Sequence, residues 1–325
     1  LGGLSEKAYI LNKIWENTGG PVINVDAGNP LFHTSGQYGS SSIEYINARA
    51  VADIYNLLGF DAVGVGPKDL SGGLDLLQET AEQGIPWTSA NLYDRQGRRV
   101  FEPFRSKRID NLLIAIVGIT DPVGVESEDF VIEEPIPVLA ELLPELEESF
   151  DLILLLATMQ ISNIVELVSQ YPQIHIVIAG DNAKNNVAPF LTGTTIVTQT
   201  GNRGRYQGVL SVDWNGQPLG ENTASILIDL RMRLKSISLQ LQRLETNPWD
   251  AASQNDKIAQ LKDSHSEISK QIERLEKQQE SGTAINEVST FESRFLPLSH
   301  SGRADPQIDY IIRDAKKQIE MNRKN

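Results

Sequence analysis

Short runs of branched aliphatic residues alternate with amphipathic segments along the first two thirds of the chain. Such runs are typical of strands buried on both faces, and apolar residues recurring every three or four positions are typical of helices. The predicted strands are Val22–Val25, Ala62–Val65, Leu112–Ile119, Leu152–Ala157, Ile174–Ala179, Thr194–Thr200 and Gly208–Trp214. The predicted helices are Ser5–Trp15, Ile43–Leu58, Leu74–Gln83, Pro137–Glu148 and Ser162–Gln170. This order predicts an α/β domain over residues 1–220, with mixed sheets and helices outside them.

The last two predicted strands follow each other through the glycine-rich turn 201–205. Two strands joined in this way commonly form a hairpin. We therefore expect Thr194–Thr200 and Gly208–Trp214 to pair antiparallel.

The pattern changes near Glu221, where apolar residues begin to follow a heptad spacing. A first series is Leu230, Leu234, Ile237, Leu241 and Leu244, and a second is Ile258, Leu261, His265, Ile268, Ile272 and Leu275. The helix-breaking residues 246–250 lie between the two series. The segment 221–282 is therefore predicted to be an antiparallel helical hairpin of coiled-coil type.

Residues 283–325 predict an extended arm followed by a terminal helix. The helix is expected to start at Asp305-Pro306, because proline is well tolerated in a first helical turn. The extended part carries Phe291, Phe295, Leu296 and Leu298, and these apolar side chains need a surface to cover. That surface is either the chain's own body or a neighbouring subunit, and we slightly favour the subunit.

Charge and cysteine content exclude several classes of protein. The formal net charge of −14 argues against a nucleic-acid or anionic-membrane partner, because binding phosphates requires a basic surface. The absence of cysteine excludes disulfides, thiolate nucleophiles and zinc–thiolate sites. No apolar run is long enough to span a membrane. The sequence opens at Leu1 without methionine, so we expect the removal of an export signal and a periplasmic or extracellular location.

Several short segments appear in the order that one enzyme family uses. They are Gly2-Gly3-Leu4, Val25-Asp26-Ala27-Gly28-Asn29, Leu58 to Gly66, Pro86 to Asn91, Ile116 to Thr120, and Gln199-Thr200-Gly201 with Tyr206-Gln207-Gly208. Together they resemble the N-terminal metallophosphoesterase domain of the bacterial 5′-nucleotidase/UDP-sugar hydrolase family. The resemblance implies a layered α-β-β-α sandwich and, in the family, two divalent metals held by five loops.

The ligand positions that the resemblance implies have changed in this chain. The family's D-x-H motif has no counterpart here, and an upstream strand carrying it would favour an enzyme. The last position of its DAGD motif is Asn29, and its G-N-H-E motif reads Gly66-Pro67-Lys68-Asp69. Thr158 stands where a histidine is expected. The family's G-H-x-H motif falls on Gly180 to Ala183, so Asp181 and Ala183 replace its two histidines.

Two interpretations of these polar residues remain open. Asp26, Asn29, Lys68, Asp69, Asp181 and Asn182 are either turn and cap residues without function or the lining of a repurposed pocket. In the second case Lys68 would bind an anion, or Asp69 and Asp181 would hold a weakly bound cation. We favour the first interpretation and expect no metal and no cofactor.

The sequence thus predicts a pseudoenzyme: a non-catalytic, exported scaffold or binding subunit. Its partner would bind through the helical hairpin and the arm. Nucleotidase-like modules occur linked to multihaem cytochromes, so such a cytochrome and self-assembly are the two candidates. A haem ligand supplied by His33 or His300 is a minor hypothesis. The alternatives are a 5′-nucleotidase-like, metal-dependent phosphohydrolase with a non-standard or incomplete metal site, and a small-molecule sensor.

Overall fold

The computed structural model describes residues 3–201, 204–220, 223–246, 255–280, 288–298 and 305–323. The helices are α1 Leu4–Asn17, α2 Ile43–Leu58, α3 Leu74–Glu82, α4 Pro135–Ser149, α5 Ile161–Gln170, α6 Thr223–Thr246, α7 Asn255–Glu280 and α8 Pro306–Asn322, with a short 3-10 helix at Asp69–Gly72. The strands are β1 Val25–Asp26, β2 Ala62–Gly64, β3 Trp87–Thr88, β4 Leu92–Asp94, β5 Phe104–Ile109, β6 Leu112–Ile119, β7 Phe130–Ile132, β8 Leu152–Ala157, β9 Ile176–Ala179, β10 Val187–Thr192, β11 Thr195–Gln199, β12 Tyr206–Asp213 and β13 Thr290–Pro297.

The strands form two principal sheets. Strands β1, β2 and β3 make a parallel three-stranded sheet. The larger sheet has the order β10-β11-β9-β8-β6-β5, with parallel pairs in its centre and antiparallel pairs at both edges. Two further pairs, β4 with β7 and β12 with β13, complete the described strands. The predicted mixed α/β architecture is therefore confirmed.

Helices cover the outer face of each principal sheet. One apolar core joins the three-stranded sheet to α1, α2, α3 and α8, and the indole of Trp87 is fully buried in it. A second core joins the six-stranded sheet to α4 and α5. Strands β6 and β8 are buried on both faces, because alternate residues pack against the helices on one side and the smaller sheet on the other.

The predicted pairing of the last two strands of the domain is wrong. Strand β11 lies inside the six-stranded sheet, with β10 antiparallel on one side and β9 parallel on the other. Both of its edges are thus occupied, and β12 pairs with β13 instead. The first predicted strand also has the wrong bounds. The sequence pattern predicts Val22–Val25, whereas β1 comprises only Val25–Asp26.

The chain divides into two compact units, Leu1–Val209 with Ser293–Asn325, and Leu210–Glu292. In the second unit, α6 packs on α7 through Leu227, Leu230 and Ile272. The predicted helix breaker at 247–250 lies outside the described residues. None of the described helices is long and apolar enough to cross a membrane.

The terminal helix α8 packs on the chain's own first unit. Its residues Ile308 and Ile312 belong to the core formed by α1 and α2, and Ala315 contacts Ile46 and Ala50 of α2. Asp305 caps this helix by accepting hydrogen bonds from the N–H groups of residues 307 and 308. Docking of this helix on another subunit is therefore not needed to bury its apolar face.

Of the four arm residues predicted to contact a partner, Leu298 is buried in the first unit. Its N–H donates to the carbonyl of Arg205 over 2.7 Å. Phe291, Phe295 and Leu296 are half-buried within β13. Partner binding through the hairpin and the arm remains a prediction, and so does export. In the arm, the three half-buried residues are the ones that keep some exposure for a partner.

The contact between the two principal sheets depends on Gly64 in β2. A Cβ atom at this position would lie 2.4 Å from the carbonyl oxygen of Ala27 and 3.3 Å from the Cβ of Leu156. Gly64→Ala is therefore expected to lower the free energy of unfolding by about 2–3 kcal/mol, because overpacking forces backbone to move. Urea denaturation would measure it. Gly39→Ala, where a Cβ meets nothing within 4 Å, is the control, and equal effects in the two variants would contradict the prediction.

Candidate functional site

The loops that follow β1, β2, β8 and β9 meet at one edge of the two sheets. Gly28, at φ +125°, lies so near the loop after β2 that a Cβ would be 2.7 Å from the amide nitrogen of Gly66. The same Cβ would be 3.0 Å from Cγ2 of Thr158, which follows β8. Gly180, which follows β9, also borders Thr158. We call this region the strand-end site and define it as Asp26, Asn29, Lys68, Asp69, Thr158, Asp181 and Asn182.

Asp69 joins the first two of these loops. Its carboxylate is completely buried and accepts hydrogen bonds from the amides of Asn29 at 2.7 Å, Gly66 at 2.9 Å and Leu31 at 3.0 Å. Burial raises the pKa of Asp69 to about 7, against the three N–H groups that favour its charged form, and the nearby charge of Asp26 adds to the rise. Both carboxylate oxygens are thus used to fix the backbone.

Asn29 adopts the left-handed conformation, with φ of 61°. Its Oδ1 accepts a hydrogen bond from the backbone N–H of Lys68 at 2.8 Å, which ties the β1 loop to the β2 loop a second time. Its Nδ2 is buried and has no hydrogen-bond partner. The amide therefore presents its donor rather than its acceptor as the group still able to bind something. Pro67 lies in the intervening turn, which the N–H of Asp69 closes on the carbonyl of Gly66.

Asp181 organises the loop after β9. Its carboxylate accepts hydrogen bonds from the N–H of Ile161, the first residue of α5, at 3.1 Å and from the N–H of Ala183 at 2.8 Å. Gln199 holds the same loop from β11, accepting from the amide of Asp181 at 2.7 Å and donating to its carbonyl at 2.9 Å. Both carboxylate oxygens of Asp181 are therefore occupied by backbone donors.

Two further residues complete the edge. Lys68 Nζ donates to Oδ1 of Asn182 at 3.1 Å, so the loops after β2 and β9 are connected across the site. Thr158 is only 4% exposed, and its Oγ1 is buried without a hydrogen-bond partner. Ala183, the other position that the family resemblance marks as a former ligand, contributes only its backbone N–H.

Asp26 is engaged with α1 and α2. Its Oδ2 accepts a hydrogen bond from the hydroxyl of Tyr55 at 2.8 Å and lies 3.8 Å from Nζ of Lys7. Burial lowers the pKa of Lys7, whose ammonium lies 5.4 Å from the ring centre of Tyr55 and 5.1 Å from that of Phe60. Burial raises the pKa of Tyr55 well above its usual value, and the charge of Asp26 raises it further. These contacts anchor α1, so Asp26 is a structural member of the site.

Sequence reasoning did not find Gln199, Lys7 and Tyr55 as members of this neighbourhood. Gln199 appears in the sequence only as part of a strand ending, and Lys7 and Tyr55 only as polar positions on helices. Their roles depend on partners 18 to 29 positions away, so no local pattern identifies them.

The side chains of this site do not suit the two-metal centre that the family resemblance implies. Such a centre is held by histidine and carboxylate ligands together, whereas this site contains no imidazole, and its Asn29, Asp69 and Asp181 oxygens each hold backbone N–H groups. Lys68 would place a positive charge beside the metals. Throughout the described part of the chain, no three His, Asp or Glu residues are grouped so that they could hold a metal ion.

The three histidines that the structure describes are not members of the strand-end site. His175 Nδ1 accepts a hydrogen bond from the N–H of Ile153 at 3.1 Å, and burial lowers its pKa, so the ring is neutral and structural. His33 is exposed, and His265 is half-buried on α7. His300, proposed with His33 as a haem ligand, lies outside the described residues.

The fold is similar to that of several solved enzymes. The sulfate thiohydrolase SoxB of Thermus thermophilus matches with a TM-score of 0.58 and 18% identity, over 67% of this chain and 41% of that one. A 5′-nucleotidase precursor from the same species matches with a TM-score of 0.54 and 14% identity, over 66% and 46%. The NAD nucleotidase NadN of Haemophilus influenzae matches with a TM-score of 0.53 and 18% identity, over 64% and 41%.

No protein-family model matches the sequence, and no curated protein sequence matches it either. The chain spans less than half the length of the solved proteins named above. At these identities the likeness shows the fold. The chain therefore has the metallophosphoesterase-type fold of the 5′-nucleotidases, as the sequence motifs indicated.

The comparisons contradict the expectation of a pseudoenzyme. The solved structures that share this fold are those of a thiohydrolase, a 5′-nucleotidase and an NAD nucleotidase, all of them enzymes. The expectation was drawn from lost metal-ligand positions alone. We withdraw it, because the altered positions describe how this site differs from the two-metal pattern and do not by themselves remove catalysis.

Proposed function

We propose that this chain carries the catalytic-type domain of a phosphohydrolase related in fold to the 5′-nucleotidases, with a non-standard site at the strand-end edge. The observation that carries the proposal is the convergence of polar side chains from four strand-end loops in a fold that solved phosphohydrolases share. In open α/β sheets, ligands bind outside the carboxyl ends of the strands. A phosphate ester bound at this edge would meet one cationic side chain from this cluster, that of Lys68.

Lys68 is well placed to bind a phosphate oxygen. It belongs to the loop that the buried carboxylate of Asp69 holds rigid, and it reaches across to Asn182 on the loop after β9. A cation positioned by a fixed loop stabilises negative charge that develops on a phosphate in the transition state. Asp69 and Asp181 stabilise this arrangement, because their carboxylates accept hydrogen bonds from backbone N–H groups of the surrounding loops. Asn29 and Thr158 contribute the remaining polar groups of the site.

Release of inorganic phosphate from 5′-AMP and from p-nitrophenyl phosphate tests the proposal. The assay would be run in EDTA and, separately, with Mn²⁺, Mg²⁺ or Zn²⁺, and elemental mass spectrometry would give the metal content after desalting. Lys68→Met is expected to lower kcat/KM by about 100-fold, because it removes the cation that faces the phosphate. Lys184→Met removes an exposed lysine from the neighbouring loop and is expected to leave kcat/KM unchanged.

The results of the phosphate-release assay distinguish support for the proposed function from its refutation. Phosphate release that depends on Lys68 and is indifferent to Lys184 supports the proposed function. The absence of release from both esters under every metal condition overturns it. Equal losses in the two lysine variants would also overturn it, because the effect would then come from the general charge of the surface.

A further inference from the structure

Most side-chain oxygens of the strand-end site already accept hydrogen bonds from the protein. Two of its carboxylates, those of Asp69 and Asp181, accept five N–H bonds between them, three on the first and two on the second. Oδ1 of Asn29 accepts the N–H of Lys68, and Oδ1 of Asn182 accepts its ammonium. Each of these acceptor groups is therefore already engaged by a hydrogen bond within the protein.

The two buried groups of the site that remain without a partner can both donate a hydrogen bond. The described part of the chain has four buried side-chain nitrogen or oxygen atoms without a hydrogen-bond partner, and two of them, Nδ2 of Asn29 and Oγ1 of Thr158, belong to this site. An unpaired buried polar group costs about 1–3 kcal/mol, so a pair of them in one place calls for a partner. Asn29 Nδ2 only donates, and a threonine hydroxyl both donates and accepts.

These two donors belong to adjoining loops. Thr158 borders Gly28, the residue before Asn29, and also Gly180, the residue before Asp181. The methyl group Cγ2 of Thr158 faces both glycines, 3.0 and 3.1 Å from where their Cβ atoms would lie, so the two loops pack closely around the threonine. Lys68, whose N–H is bonded to the side chain of Asn29, brings a third donor with a positive charge to the same edge.

Lys68 is the single cationic side chain of the strand-end site, and the carboxylates of the site are engaged by other groups. The carboxylate of Asp26 contacts Lys7 and Tyr55, and that of Asp181 accepts two backbone N–H bonds. Burial raises the pKa of Asp69 to about 7, which reduces the negative charge beneath the site near neutral pH. In a chain whose net charge is −14, this leaves a local position where Lys68 can meet an anion.

We propose that the strand-end site binds a tetrahedral oxyanion directly through Asn29 Nδ2, Thr158 Oγ1 and Lys68 Nζ, without a metal ion between protein and ligand. The chemistry is that of a phosphoryl group, on an ester or as free phosphate, and sulfate shares it. Lys68 exchanges Asn182 for an anion oxygen on binding. The inference rests on the proposed function for its substrate class, and it adds that recognition of the phosphoryl group is built from protein donors.

Isothermal titration calorimetry with inorganic phosphate, sulfate and 5′-AMP in EDTA tests this proposal on the full chain. Thr158→Val keeps the shape of the side chain and removes only its hydroxyl, so it is expected to weaken binding about 5-fold. Lys68→Met removes a charge-assisted bond and is expected to weaken binding at least about 10-fold. Lys184→Met is the matched control and should change Kd less than about 2-fold. Thermal melting of each variant verifies that it is folded.

Several results would overturn the proposal. One is the absence of heat from all three anions in EDTA, with binding restored only by a divalent metal. Another is unchanged affinity in both Thr158→Val and Lys68→Met. Binding of 5′-AMP alone, with no response to phosphate or sulfate, would place recognition on the nucleoside and would also overturn it.

Different results would overturn the oxyanion site and the proposed phosphohydrolase function. Anion binding in EDTA with no ester hydrolysis under any condition would support the oxyanion site and overturn the phosphohydrolase. Hydrolysis that requires a metal, with no anion binding in EDTA, would support the phosphohydrolase and overturn the oxyanion site.

Discussion

Replacing Asp69 by alanine is expected to lower the free energy of unfolding at pH 6 by about 3–5 kcal/mol. The change leaves three buried backbone N–H groups, those of Asn29, Leu31 and Gly66, without their acceptor. Each unsatisfied buried donor costs about 1–3 kcal/mol. The expected loss therefore comes from these three unsatisfied donors. Urea denaturation followed by circular dichroism would measure it.

Asp263→Ala provides the control for this change. Asp263 is exposed on α7, and surface substitutions of this kind alter stability by about 0.5 kcal/mol or less. A loss below about 1 kcal/mol for Asp69→Ala would contradict the view that Asp69 holds the β1 and β2 loops together.

The stabilising contribution of Asp69 is expected to decrease as the pH rises from about 4 to about 7. Burial raises the pKa of this carboxyl from its ordinary 3.8 to about 7, so the folded state binds the proton more tightly than the unfolded state does. The contribution is therefore complete below pH 3.8 and is lost as the pH rises through about 7. A shift of about three pKa units limits this change in the free energy of unfolding to at most about 4 kcal/mol.

Comparison with Asp69→Asn isolates this titration. Asparagine cannot ionise, so the difference in unfolding free energy between the two proteins should decrease steadily between pH 4 and pH 8. The contributions of groups that are common to both proteins cancel in the difference. A difference that is constant over this range would show that the three N–H donors keep the carboxylate charged and would refute the raised pKa.

The secondary structure that the sequence predicted best consists of its most apolar elements. Strands β6 and β8 and helix α2 have the predicted bounds, because each is a long, uninterrupted pattern with both faces or one clear face buried. The edge strand β5 was missed because its basic residues, Arg105, Lys107 and Arg108, interrupt the aliphatic pattern. Charged residues are common on edge strands, where they prevent pairing with other chains.

The hydrogen bonds of the candidate site residues could not be predicted from the sequence. Asn29, Lys68, Asp69, Asp181 and Asn182 all follow strands, and the carboxyl ends of parallel strands lie at one edge, so their proximity could be expected. Whether an oxygen is free or already bonded depends on backbone N–H groups that the fold brings to it. The sequence could not show this, and so it could not distinguish a cation site from an anion site.

The sequence by itself determined the α/β class and the polar residues that follow its strands, because periodicity and residue identity are local properties. The tertiary structure decided that β12 pairs with β13, that α8 covers the chain's own core, and that Gln199 fixes the loop of Asp181. It also decided that Nδ2 of Asn29 and Oγ1 of Thr158 are buried without a hydrogen-bond partner. These results depend on which groups meet across long stretches of chain, and only the packed fold sets those encounters.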